Sequence, residues 1–297
     1  MLLQGYPDLE YIIIDGGSSD DSVEIMKKYE QWLTHWVSEP DRGQSDAINK
    51  GWRMAKGEVC AWLNSDDTYM PSALETAARH LKANPDCGMV YGDCNIVDEE
   101  GGAAGRVRTA EFDPGRLLCG FNMIPQPSAF IRSSVLDEVG YLDVSLFMAM
   151  DLDLWIRIGL QFEARYVPVV LASFRRCEGT KSVSSTARFF PEIIAVMDST
   201  FRRPGLPQGL RATKRDAYKD VHILAFRTLL AGGHRRQALA HLGKAIMRYP
   251  GHIIDVLRIL CSVGVLTELF PSRRALERAS KMKKRLARAF HLCRGAG

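Results

Sequence analysis

The sequence predicts an α/β domain built on a mainly parallel sheet and followed by an all-helical C-terminal region. Three observations predict it. Strand-like and helix-like runs alternate through residues 9–172 in βα order, the pattern of a parallel sheet covered on both faces. Carboxylates stand where several of those strands end, which is where open α/β sheets bind their ligands. From about Phe189 onward the periodic segments are all helical.

The first strand covers residues 9–15, an aromatic and β-branched run ending in Asp15, and the turn cluster of residues 16–22 caps a helix over residues 23–32. A second helix, residues 44–55, precedes a buried strand over residues 59–63 that runs into Asn64-Ser65-Asp66-Asp67. Pro71 introduces a helix over residues 72–83, and the next strand takes residues 88–93, with Asp93 as a further acid at a strand end. The pattern is irregular over residues 101–127. It recovers in a strand at residues 128–132, a helix at 134–139, a loop at 143–150 and a helix at 151–160. A strand over residues 164–172 closes the α/β part, so the expected division is 1–188 and 189–297. In the second part a Pro/Gly-rich break lies at residues 203–209. Gly233, Ala238, Leu242, Ala245 and Pro250 resemble one tetratricopeptide repeat, and a single copy reads as a helical hairpin.

The 297 residues are 46% hydrophobic, ordinary for a globular chain with one sizeable domain and a smaller one. Thirty-nine basic and 35 acidic residues leave a net charge of +4, which names no partner. The surplus is local: Arg273, Arg274, Arg278, Lys281, Lys283, Lys284, Arg285, Arg288 and Arg294 face one acid, Glu277. With Leu276, Met282, Leu286 and Phe290 interleaved, this tail reads either as an amphipathic helix on anionic lipid or as a solvated helix packed on the hairpin. It carries no recognition motif or stacking aromatic array, so no nucleic-acid partner is expected. The seven cysteines are scattered, with neither metal-ligand spacing nor a disulfide rhythm, and fit a reducing compartment. Residues 1–7 lack the features of a secretory signal, and the apolar stretch at 253–270 is interrupted by Asp255, Arg258 and Glu268. The expected location is cytoplasmic, with peripheral contact at the inner face of the membrane if the tail takes the first of its two forms, the helix on anionic lipid.

Three constellations carry chemistry. At Asn64-Ser65-Asp66-Asp67 adjacent carboxylates leave a strand together, and a hard divalent ion shared with phosphate would relieve their repulsion. The alternative is a plain helix cap before Pro71. At Asp41-Arg42-Gly43 a helix begins, where backbone N–H groups and the dipole favour phosphate and Arg42 adds a paired contact, unless this is only a solvated turn. At Asp151-Leu152-Asp153-Leu154-Trp155 a carboxylate at a helix start can take a proton from an attacking hydroxyl. Acids there also complement the dipole without any catalytic duty.

Four stretches in this order, residues 9–20, 41–51, 62–67 and 151–155, closely resemble family 2 glycosyltransferases with a GT-A type fold, over residues 1 to about 185. The resemblance implies a Rossmann-like, nucleotide-sugar-dependent enzyme of the hexosyltransferase type. By it Asp15 meets the nucleotide base, Arg42 the diphosphate with Asn49 nearby, and Asp66 and Asp67 the ribose and a Mn²⁺ or Mg²⁺ ion. Asp151 is the base of a single inverting displacement, and Asp153 and Trp155 support it or shape the acceptor side. The implied donor is a nucleotide-diphosphate sugar, with UDP the commonest nucleotide, and the implied acceptor a glycan or lipid-linked hydroxyl in polysaccharide or cell-surface glycan biosynthesis.

Three departures qualify this pattern. Family members begin with another strand and helix before the residues matching Gly5-Tyr6-Pro7, so the resemblance predicts a start about 30 residues further upstream. Met150 stands where the family often has a carboxylate, and Cys177 lies where a histidine is expected near the phosphates, which puts a third metal ligand in doubt. Two rival readings accompany the transferase: a sugar nucleotidyltransferase, which would release pyrophosphate, and an inactive homologue acting as an interaction scaffold.

Overall fold

The structure is a computed structural model that describes residues 1–119, 124–177 and 186–248. It divides into two compact units, Met1–Ala212 and Thr213–Gly297. The basic tail, Pro250 and the apolar stretch at 253–270 lie outside the described residues.

In the first unit β1 (Ile12–Asp15) runs into α1 (Ser22–Tyr29), and a 3-10 turn, Glu30–Trp32, leads to β2 (His35–Ser38). β1 and β2 pair in parallel, Asp15 opposite Ser38, as a separate two-stranded sheet. After α2 (Gln44–Met54) comes a six-stranded sheet ordered β3 (Val59–Cys60), β7 (Ala129–Arg132), β5 (Cys87–Val97), β8 (Glu163–Arg175), β4 (Thr68–Tyr69). β6 (Ala103–Val107) pairs with β5 off this path.

The class is α/β as expected, but the larger sheet is mixed, not mainly parallel. β5 with β8 is its parallel pair among the described residues; the pairs β3–β7, β5–β7, β4–β8 and β5–β6 are antiparallel. The reason lies in the connections. β5 turns directly back at Gly101 into β6, and a short hairpin admits only antiparallel pairing. The stretch after β6, whose described residues include the short α4 (Pro114–Leu118) and a 3-10 turn (Gln126–Ser128), then delivers β7 running the other way.

The core follows helical spacing. α3 (Ala73–Ala83) places Ala73, Ala77 and Leu81 on one face against Val90, Phe130, Val167 and Leu171 of β5, β7 and β8. Burial of each larger apolar side chain contributes about 1.5–3 kcal/mol. Arg132 ties the layers together: its Nε donates to Cys87 O at 2.9 Å and its Nη2 to Leu81 O at 2.6 Å, in the last turn of α3.

α5 (Ser133–Val139) and α6 (Met150–Gly159) complete this part. α7 (Thr186–Arg202) belongs to the same unit, although the sequence pattern places the division at 188. Its Phe190, Ile193, Val196 and Met197 are buried and it packs against α6. An amphipathic helix joins whichever body covers its apolar stripe, so the compact unit runs on through α8 (Gln208–Ala212).

The second unit contains a helical hairpin of α9 (Lys214–Ala231) and α10 (Arg235–Arg248), turned at Gly233 with φ +78°. Within it His222 Nδ1 and His241 Nδ1 lie 3.0 Å apart, and burial pushes His222 down to about 4, so that imidazole stays neutral at pH 7. Among the described residues no helix is long and apolar enough to cross a membrane.

Candidate functional site

Asp15 ends β1, and its carboxylate accepts hydrogen bonds from the Gly17 N–H (3.2 Å), the Ser18 N–H (2.9 Å), the Ser18 hydroxyl and the Ser38 hydroxyl of β2 (2.6 Å). The Ser18 and Ser38 hydroxyls hold its pKa down to about 2, so it is ionised at neutral pH. The carboxylate thereby folds the 16–18 loop over the end of the small sheet. A Cβ on Gly16 would lie 2.5 Å from Asp41 Oδ2, so this loop rests directly on the second motif.

That motif turns at Gly43, whose φ of +108° favours glycine and whose N–H donates to Asp41 Oδ1 at 2.7 Å. Arg42 stands exposed ahead of α2, its guanidinium 2.9 Å from Asp46 and its own N–H on the same carboxylate. Hydrogen bonds from Arg42 keep Asp46 at about 2. The Arg42 side chain is 74% exposed, so exchanging Asp46 for a phosphate costs little.

The acid pair sits in the segment that leaves β3 through Trp62. Asp66 is exposed, while Asp67 is 5% exposed and accepts from the Arg175 N–H at 3.1 Å and from Asn64 Nδ2 at 3.1 Å. Burial, with some help from the Asp66 charge, pushes Asp67 up to about 6 against the pull of the Arg175 N–H. Asn64 is a hub: its Oδ1 accepts from Gln44 Nε2 at 2.6 Å, and its Nδ2 also reaches Gln126 Oε1 at 3.2 Å. Gln126 in turn donates to Trp62 O at 2.6 Å.

Asp151 lies half-buried in the first turn of α6, where its Oδ1 accepts the Leu152 N–H at 2.8 Å. Asp153 is a support. It pairs with Arg157 at 2.7 Å, and Arg157 donates to the carbonyls of Val139, Gly140 and Tyr141 at 2.7, 2.6 and 2.8 Å. Trp155 is 1% exposed and stacks on Trp62 at 5.7 Å, so it joins α6 to the acid-bearing segment after β3 from within the core. The indole N–H groups of Trp52, Trp62 and Trp155 are buried without a hydrogen-bond partner.

Asn49, expected beside the nucleotide, is buried within α2. Its Nδ2 donates to Leu142 O at 2.8 Å and its Oδ1 accepts the Leu142 N–H at 3.0 Å, with the residue 2% exposed. Both ends of the amide are committed, so Asn49 fastens α2 to the loop before α6. Asn49→Ala leaves two buried backbone groups unpaired and is expected to lower stability by about 2–4 kcal/mol, read as the urea midpoint; a change under about 0.5 kcal/mol would contradict the clamp. Asp93 likewise joins a separate network. Burial alone would raise its pKa, but the Thr109 N–H, Tyr166 hydroxyl and Arg106 hold it below the usual carboxylate range.

Three residues of the site escape motif reading: Gln44, Gln126 and Arg175. The signal for Gln126 is its place between Pro125 and Pro127, which fix a polar side chain in an otherwise irregular stretch.

The metal expectation can be tested on these donors. No group of three His, Cys, Asp or Glu side chains able to hold an ion stands among the described residues, and residues 178–185, just after Cys177, lie outside them. Asp66 and Asp67 suit an ion that takes one or two carboxylates and completes its shell with phosphate and water. The buried Asp67 carboxylate, without a side-chain cation among its hydrogen-bond donors, is the observation that fits.

Residues 1–140 match the family model described as Glycosyl transferase family 2. An uncharacterized glycosyltransferase of Mycobacterium tuberculosis is 31% identical over 172 residues, 56% of this chain and 63% of that protein. Poly-beta-1,6-N-acetyl-D-glucosamine synthase of Staphylococcus epidermidis is 29% identical over 178 residues, 56% of this chain and 42% of that protein. The chain thus spans less than two thirds of the length of these curated relatives. S. aureus TarS 1-349 in complex with UDP-GlcNAc aligns with a TM-score of 0.62 at 17% identity, covering 97% of this chain and 86% of that one. The mannosyltransferase PcManGT of Pyrobaculum calidifontis, with GDP-Man and Mn²⁺, gives 0.55 at 16%, covering 93% and 77%. These likenesses show a GT-A type fold.

Proposed function

We propose, from the match of residues 1–140 to the glycosyl transferase family 2 model, that this chain moves a sugar from a nucleotide-diphosphate donor to an acceptor hydroxyl with inversion at the anomeric carbon. One observation carries the reading. Two adjacent residues in the first turn of α2 touch both halves of the site: Gln44 holds Asn64 of the acid motif, and the Ser45 hydroxyl donates to Leu146 O at 3.2 Å and Met150 Sδ at 2.9 Å, beside Asp151. An anion-favouring helix end, an acid pair and a carboxylate at a second helix start therefore share one locale.

In this arrangement the α2 N-terminus and Arg42 take the diphosphate, Asp15 and its loop take the base end of the nucleotide, and Asp66 and Asp67 hold Mn²⁺ or Mg²⁺. The ion, when bound, neutralises charge on the departing diphosphate. Asp151 receives the acceptor proton as the hydroxyl oxygen bonds to the anomeric carbon and the bond to the diphosphate oxygen breaks on the opposite face. A UDP-sugar is the donor we favour, supported by the TarS complex with UDP-GlcNAc, with polysaccharide or cell-surface glycan as product, supported by the poly-GlcNAc synthase. The acceptor is a glycan or lipid-linked hydroxyl, reached from the cytoplasmic face with the basic tail on anionic lipid.

The test is calorimetric titration of the chain with UDP and UDP-GlcNAc, in Mn²⁺ and in EDTA, alongside product analysis. We expect Mn²⁺-dependent binding and release of UDP. Silence across uridine, guanosine and thymidine diphosphates in Mn²⁺ would overturn the reading, and pyrophosphate in place of UDP would move it to nucleotidyl transfer.

A further inference from the structure

The loop that delivers Asp151 is fastened from several sides. Arg157 holds the carbonyls of residues 139–141, Asn49 holds Leu142, and Ser45 reaches Leu146. What remains is the last stretch before α6, and there the donors are backbone N–H groups. Glu192 of α7 accepts all three with one oxygen: Phe147 N–H at 2.9 Å, Met148 N–H at 2.6 Å and Ala149 N–H at 3.1 Å.

The chemistry explains why a distant side chain is needed. The Ala149 side chain, at the N-cap of α6, offers no oxygen; within the first turn Asp151 takes the Leu152 N–H, and the amides of residues 147–149, which precede the helix, find their acceptor on α7. A carboxylate at this positive helix end is favoured on charge as well. A second contact on the same helix points to the same loop: Arg188, one turn before Glu192, lies over the Phe147 ring at 5.6 Å. α7 is itself anchored by Phe190, Ile193 and Met197, all buried, so the carboxylate is presented from a fixed support.

We propose that Glu192 is a positioning residue for sugar transfer: it fixes the backbone at the start of α6 and thereby the place of the Asp151 carboxylate. The inference rests on the reading of Asp151 as base. General-base transfer is sensitive to displacement, and about 1 Å of misplacement can lower a rate a hundredfold. The donor-side groups on α2 and at residues 64–67 make no contact with Glu192 in its hydrogen bonding, so donor affinity should not follow it.

The experiment pairs amide hydrogen exchange with turnover of UDP-GlcNAc in Mn²⁺. In Glu192→Ala the amides of residues 147–149 should exchange at least tenfold faster while those of β5 and β8 keep their protection. The kcat should fall tenfold or more with the KM for donor unchanged. Glu192→Gln, which keeps one carbonyl oxygen as acceptor, should restore most of both. Unchanged exchange at 147–149 in Glu192→Ala overturns the clamp. Restored protection without restored kcat in Glu192→Gln overturns positioning in favour of charge. A fully active Asp151→Asn instead removes the base reading on which the proposal rests, and leaves the exchange result standing.

Discussion

Asp67→Asn is expected to make the metal-free protein more stable at pH 7.5 while abolishing Mn²⁺-dependent strengthening of UDP binding. The carboxyl is 5% exposed and sits at about 6, above its usual 3.8, chiefly because burial disfavours the charge. The folded state therefore holds a proton that the unfolded chain has already lost between about pH 4 and pH 6. Stability falls as pH rises through that window and levels off above it. Asparagine keeps the shape and can still accept the Arg175 N–H through its carbonyl, without the buried charge. The gain should be on the order of 1–2 kcal/mol at pH 7.5, and close to nothing at pH 4, by urea denaturation without metal. The same proton competes with a cation, so Mn²⁺ affinity of the unaltered chain should drop about tenfold per pH unit below pH 6. An Asp67→Asn chain less stable than the parent in EDTA at pH 7.5 would overturn the prediction and show that the donors on both Asp67 oxygens, the Arg175 N–H and Asn64 Nδ2, outweigh the cost of burying the charge.

Asp151→Asn should separate binding from chemistry. The side chain is half-buried, and its Oδ1 contact with the Leu152 N–H survives in the amide, so the helix start should keep its geometry. Removing a general base lowers kcat by about 10²–10⁴ while leaving donor binding intact. UDP release under saturating UDP-GlcNAc and Mn²⁺ measures the first, and calorimetry with Mn²⁺ and UDP the second. A loss in kcat below tenfold would hand the base to another group.

What was readable in the sequence was what local pattern encodes. The run at residues 88–93 marks β5 by burial throughout, and residues 164–172 mark β8 by their aromatic and β-branched content, although Pro168 and Val169 face solvent. Their full extent was not readable: β5 continues through Cys94-Asn95-Ile96-Val97, where the pairing with β6 and β8, a non-local event, keeps a polar residue in the strand. β2 was missed for a related reason, since four residues with an exposed His35 carry too little periodicity to register. Strand direction came out differently because β6, the hairpin strand that turns β5 back, lies in the stretch after residue 101 that carries no readable pattern. In the site, Asp66 and Asp67 were legible as a pair but not as unequal members. Only the fold shows that one faces solvent and the other is covered by β8. The loop clamp made by Asn49 was not legible, because a buried side-chain amide holding a loop and one binding a ligand leave the same trace in a sequence.

β5 acquires its neighbours in the order in which they leave the ribosome. β6 follows it by a tight hairpin and pairs with Cys94 to Val97, β7 then takes Met89 to Tyr91, and β8, beginning at Glu163, covers the other edge from Cys87 to Val97. Until β8 emerges, the longest stretch of central strand stands with one bare edge, the condition under which chains associate wrongly. Closing that edge requires the whole intervening chain, including the loop and helix that bear Asp151, to be in place. In chain order the sheet edge is thus covered after the Asp151 loop has emerged and before α7 brings Glu192 to that loop.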